Sequence, residues 1–137
     1  MADIVLRDIE KYFGDNHVIR KLNLDIRHQE FVVLLGQSGC GKTTTLRAIA
    51  GLEEIDDGEI LVDNVPVHER QAGERDIAFV FQLFALYPHL TTYKNIAFPL
   101  RATRESGAEV ERRVQEVAAA LRIEHLLDKR PDRKSVV

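Results

Sequence analysis

A chain of 137 residues, 45% hydrophobic and 30% charged with a formal charge of −3, has the size and composition of one packed domain. That balance excludes wholesale disorder, and the scattered basic residues exclude a nucleic-acid surface built on bulk positive charge. No apolar run is long enough to cross a bilayer, the N-terminal MADIVLRDIEKYF lacks a signal-peptide core, and the single cysteine, Cys40, excludes an internal disulfide and fits a reducing cytosol.

In chain order, Ile4-Val5-Leu6, Val18-Ile19, Leu22, Leu24 and Ile26 alternate with polar residues and predict strands of an antiparallel sheet, turning at Gly14-Asp15-Asn16. Phe31 to Leu35 is apolar throughout and predicts a strand buried on both faces. From Lys42 the pattern becomes helical, with Leu46, Ile49, Ala50 and Glu53 on one side and Gly51 near the end. Asp57-Gly58 predicts a turn, Glu59 to Asp63 a short strand, and Asn64 to Pro66 another turn. Ile77 to Phe81 predicts a second buried strand, and Gln82 to Thr91 a loop. Thr92 to Leu100 predicts a helix limited by Pro99. Gly107 to Ile123 predicts the longest helix, with Val110, Val114, Val117, Ala118 and Leu121 at helical spacing, and Glu124 to Asp128 a further helical turn.

The stretch GQSGCGKTTTL, Gly36 to Leu46, sits between the first apolar run and the first helix. It fills the P-loop template G-x-x-x-x-G-K-[ST]. With Gly at about 7% of residues, a chance match is roughly one in 30,000 per window. The residue types suit a polyphosphate. Gly36, Gly39 and Gly41 let the backbone N–H groups of Gln37, Ser38, Cys40, Lys42, Thr43 and Thr44 approach without a side chain in the way. The first turn of the helix offers unpaired N–H groups and the positive end of its dipole. Lys42 adds a full charge for the terminal phosphates, and the Thr43 hydroxyl is an oxygen ligand of the kind Mg²⁺ prefers. The alternative is a Gly-rich strand-to-helix turn without a ligand. Cys40, beside Lys42 at a helix N-terminus, is expected to react with alkylating agents that then block the site.

Phe13-Gly14 upstream, GEIL at 58–61, and ERDIAFVFQLFALYPHLTTYKNIAFPL from 74 complete a pattern. It resembles the ATP-binding subunit of ATP-binding-cassette (ABC) transporters, above all of importers of maltose-type sugars and sugar phosphates, over residues 3 to 131. The resemblance implies an α/β P-loop NTPase core with an N-terminal antiparallel β subdomain. It implies ATP and Mg²⁺ as cofactors, with Phe13 stacked on adenine, Val18 padding the same ring, and Gln82 reaching Mg²⁺ and the attacking water. It implies two partners: a second ATPase subunit, and permease subunits docking near Leu83 to Leu90, where Phe84, Leu86 and Tyr87 lie. It also implies a peripheral location on the cytoplasmic face of the membrane. On the residues alone, the alternatives are an ordinary strand aromatic for Phe13, a solvent-facing loop residue for Gln82, and a satellite core for the apolar loop residues. A small-molecule kinase is the weaker reading, because the match extends through Gln82 and beyond.

The family also carries an LSGGQ-type signature, an apolar run ending in Asp-Glu and a later histidine, and none of these is present here. Ile60-Leu-Val-Asp63 is followed by Asn64 and is expected to form a hairpin turn instead. The chain is therefore read as residues 1–131 of such a domain, truncated before the signature, followed by a non-family tail, 132–137. Those six codons can match a sequencing adapter, which marks the tail as an expected read artefact. Without the later strands, the flank of the P-loop strand is expected to be an exposed apolar edge, and the 137-residue chain to be marginally stable or insoluble and without ATPase activity.

Overall fold

The computed structural model describes residues 2–83 and 85–131. Phe84 and the tail 132–137 lie outside the described residues. The chain forms two compact units that divide between Phe79 and Val80.

The first unit is built on a four-stranded antiparallel sheet. Strands β1 (Ile4–Phe13) and β2 (Asn16–Ile26) form a hairpin, turned by Gly14 and Asp15, with Gly14 in the left-handed region at φ 57°. β3 (Asp57–Val62) pairs with the other edge of β1, and β4 (Val65–Pro66) follows it through Asp63-Asn64, both left-handed. The order is β2-β1-β3-β4, with Leu6 opposite both Leu24 and Ile60. Ile60 to Asp63 thus lies in a hairpin, as its sequence implies.

Leu6 and Ile9 are both fully buried although three residues apart, a spacing that a flat strand would send to opposite faces. The cause is a bulge at Asp8, whose φ is 48°, with register shifts on both sides of the strand. Asn23 holds it open: its Oδ1 accepts the Asp8 N–H at 3.0 Å, and its Nδ2 donates to the Asp8 carboxylate at 3.0 Å. Helix α1 (Lys42–Ile49) buries Thr45, Ala48 and Ile49 in a core with Leu6, Ile9, Ile19, Ile60 and Val67. Leu46, expected on the buried side, is exposed instead.

Arg75 is the buried polar anchor of this unit. Its Nη1 donates to the carbonyls of Ala48 (2.7 Å) and Ile49 (3.1 Å), its Nε to Arg70 O and its Nη2 to His68 O. The last α1 carbonyls lack helical partners; this guanidinium supplies the donor to Ile49 O and joins the Gly51 N–H on Ala48 O. Its burial holds the Arg75 pKa below the usual value.

Two expectations fail here. Phe31 to Leu35 and Ile77 to Phe81 are not strands. Phe31 is 90% exposed, Leu35 88% and Val80 93%. A strand buried on both faces needs neighbours on both edges, and among the described residues none pairs with either segment. The segment before the P-loop is an exposed apolar stretch and not the strand edge that was expected.

The second unit holds α2 (Thr92–Ala102) and α3 (Gly107–Leu121). α2 continues past Pro99, which was expected to limit it. Its core is Ala97, Val110, Val114, Ala118 and Leu127; Val117 and Leu121, placed on the apolar face by spacing, are exposed. A 3₁₀ turn, Glu124–Leu126, follows, and the Tyr93 N–H donates to Leu127 O at 2.9 Å to close the unit.

Candidate functional site

The loop 36–41 enters α1 through Gly41, the N-cap, at φ 93°. No side chain caps this helix start, so its first N–H groups are not taken by a capping oxygen. Gly41 faces Val18: a Cβ at Gly41 would lie 3.1 Å from Val18 O and 3.5 Å from Val18 Cγ1. A Cβ at Gly36 would lie 2.7 Å from Cys40 Sγ. A side chain at Gly36 would have to displace the Cys40 thiol, whereas Gly41 is restricted both by space and by its left-handed backbone. Gly39, at φ 81°, has open space and needs glycine for its conformation alone.

Lys42 turns back over this loop. Its Nζ donates to Gly36 O at 2.8 Å and Gln37 O at 2.7 Å, with Cys40 Sγ at 3.4 Å. An ammonium resting on loop carbonyls occupies the centre of the cradle and can exchange those carbonyls for stronger, charged acceptors. Thr45 turns inward and donates its hydroxyl to Gly41 O at 2.9 Å, whereas Thr43 is exposed on the first turn. A cavity of about 250 Å³ adjoins the loop, lined by Val18, Ile19, Leu35, Cys40, Gly41 and Lys42 among others. The structure thus brings together Gly36 to Thr44 and Val18. The donor set fits a polyphosphate: a loop that excludes side chains, one cation and an uncapped helix start.

Phe13 ends β1 and is 48% exposed, with Lys11 Nζ 5.0 Å from its ring centroid. Tyr12 points elsewhere, as strand alternation implies; its ring stacks on His17 at 4.1 Å, and His17 in turn bonds Glu10. Gln82 belongs to the second unit and is exposed. In that unit Leu83, Leu86 and Tyr87 are also exposed, and Tyr87 packs on Phe98 at 4.8 Å between ring centroids. Asn95 shapes this loop: its Oδ1 accepts the Tyr87 N–H at 2.8 Å, and its Nδ2 donates to the carbonyls of Tyr87, Leu90 and Thr91.

Sequence reading missed Lys11, Arg75 and Asn95. Each acts on backbone or side chains that only the fold brings near. The one available signal was a charge beside an apolar run, as in Arg75-Asp-Ile-Ala-Phe-Val-Phe81.

A strand-hairpin layer, a glycine loop with its lysine, and the helix that starts from it have the form of the P-loop class. The sequence pattern of the ABC transporter family matches residues 19–136, and the chain belongs to that family. It is 48% identical over 136 residues to the trehalose import ATP-binding protein SugC of Mycobacterium tuberculosis, covering 98% of this chain and 35% of that protein. It is 47% identical over 137 residues to the trehalose/maltose import ATP-binding protein MalK of Thermococcus litoralis, covering 96% of this chain and 37% of that one. Among solved structures, the dimeric post-hydrolysis state of the ATP-binding cassette MJ0796 bound to ADP and Pi matches with a TM-score of 0.82 and 31% identity, over 93% of this chain and 61% of that one. The chain thus spans about a third of the length of the curated relatives it matches. No helix among the described residues is long and apolar enough to cross a membrane.

Proposed function

We propose that this chain is the nucleotide-gripping portion of an importer ATPase. In the whole protein it would bind ATP, hydrolyse it and energise uptake of a sugar-class substrate chosen by permease subunits. The observation that carries this is Lys42 Nζ seated on Gly36 O and Gln37 O at the start of α1. Phosphate oxygens would replace those two carbonyls, and the α1 N–H groups would bind the same anion. Val18 would pad the base, and Phe13 would stack on it. Thr43 would hold Mg²⁺, which when bound neutralises phosphate charge, and Gln82 is assigned a metal role by the sequence resemblance alone. Gln82, with donors and an acceptor on one amide, can also orient water. Dimeric cassettes among the solved relatives and importer subunits among the sequence relatives support a second ATPase subunit and permease partners. The Leu83–Leu90 loop, fixed by Asn95, would meet the permease from the cytoplasmic face of the membrane. The isolated 137-residue chain would bind Mg-ATP without turning it over.

The test is a full-length chimera in which residues 2–131 replace the matching segment of the mycobacterial relative. Lys42→Ala should reduce its ATPase rate by about a hundredfold or more, the scale of losing one charge-stabilising group. An unchanged rate would overturn the proposal.

A further inference from the structure

Lys11 is a buried cation that the phosphate cradle does not use. The residue is only 8% exposed. Its Nζ lies 3.2 Å from the Glu53 carboxylate, 3.8 Å from that of Asp56, and 5.0 Å from the Phe13 ring centroid. An ammonium is not buried without compensation, and here two carboxylates supply it.

Those carboxylates also fasten the surroundings. Glu53 approaches Arg47 in the last turn of α1 at 3.9 Å. Asp56 accepts the Tyr12 N–H at 2.7 Å, and its own N–H donates to Glu10 O at 2.9 Å. The end of β1 that carries Phe13 is therefore tied to the segment leaving α1, the helix whose other end is the cradle. Phe13, half exposed, is not held by packing alone, and a cation within about 6 Å of a ring attracts it electrostatically. Tyr12 is nearly as exposed as Phe13, at 43% against 48%, but its ring is stacked on His17.

We propose that Lys11 is a positioning residue for base recognition: anchored by Glu53 and Asp56, it fixes the Phe13 ring so that the exposed part of the ring meets the nucleotide base. This rests on the reading of Phe13 as the base platform. A ring fixed in advance loses less side-chain freedom when the base arrives, so the gain appears only for ligands that have a base.

The experiment compares two probes on the full-length chimera by calorimetry: Mg-ATP, and Mg-tripolyphosphate, which has the phosphates and no base. Phe13→Ala should lower the ATP-to-tripolyphosphate affinity ratio by about tenfold. Lys11→Met should lower the same ratio by about threefold to tenfold, leave tripolyphosphate binding unchanged, and add little to Phe13→Ala in the double variant. Lys11→Arg should restore the ratio. If Lys11→Met does not fold, Glu53→Gln carries the test, with a smaller loss in the same ratio. A Lys11→Met or Glu53→Gln effect equal for both probes overturns the proposal, as does an unchanged ratio beside a lowered Phe13→Ala ratio; in both cases Phe13 keeps its role. An unchanged ratio for Phe13→Ala overturns the reading of Phe13, and the proposal with it.

Discussion

The β1–β2 hairpin and the segment Phe31–Leu35 are both rich in strand-forming residues, yet only the first is a strand. The hairpin finds its partners nearby: β2 through a two-residue turn and β3 on the other edge. Its buried residues Leu6, Ile9 and Ile19 join one core with Ala48 and Ile49 of α1, and residues such as Arg7 and Asp8 face water. Phe31 to Leu35 has apolar residues on both faces and no partner strand among the described residues, and it remains exposed beside the cradle. Composition makes a segment capable of forming a strand; pairing makes it one. The cradle nevertheless keeps its shape, because its glycines, its lysine and α1 are held from the hairpin side.

The sharpest way to break this comparison is to truncate one residue from each region. Leu6→Ala should cost about 3 kcal/mol, since it empties a fully buried position shared by two strand partners. Phe31→Ala should change stability by less than about 0.5 kcal/mol, because the ring contacts mostly water. Urea unfolding of the 137-residue chain measures both. Equal losses would mean that Phe31 is packed, and the contrast between the regions would disappear.

Arg75→Met sharpens the same point from within the first unit. It should cost about 2 kcal/mol, because at the end of α1 the Ile49 carbonyl loses its side-chain donor and the Ala48 carbonyl keeps only the Gly51 N–H. The α1 signal in hydrogen exchange should weaken before that of β1 and β3. A loss spread evenly over the unit would show that Arg75 serves packing in general and not the helix end.

What was readable in the sequence follows the same division. The hairpin, the P-loop and α3 are encoded in contiguous residues, and all three are where the sequence placed them. The burial of Leu6 together with Ile9 was not readable, because it depends on a bulge held by Asn23 from the next strand. The inward face of α1 was misjudged for a similar reason: Thr45 is buried by a hydrogen bond to Gly41 O while Leu46 faces out. Pro99 did not stop α2, since Thr103 N–H still donates to Pro99 O and the turn closes beyond it. At the site, Gly36, Gly39, Gly41 and Lys42 were legible as a linear motif, whereas the Lys11–Glu53–Phe13 cluster joins β1 to residues beyond α1 and has no linear trace.

The smallest expected effect lies in the second unit, at the start of α3. Ser106 caps this helix by accepting the Glu109 N–H at 3.3 Å, and Glu109 meets Arg112 through hydrogen bonds of 2.6 and 3.0 Å. The bond from Arg112 holds the Glu109 pKa below its usual 4.5, opposed by partial desolvation. A carboxylate whose pKa is depressed by folding contributes stability above the unfolded value and loses it as the pH falls through the folded value. The helix should therefore be unaffected from neutrality to about pH 5 and lose a small increment below the usual carboxylate range, where Glu109 takes up its proton. Glu109→Gln should remove this acid-dependent step while leaving the Ser106 cap in place. The pair is exposed, so salt should reduce the step. Circular dichroism across pH 2 to 7, at low and high salt, measures it; a helix signal that falls equally in both proteins would assign the acid sensitivity to other carboxylates.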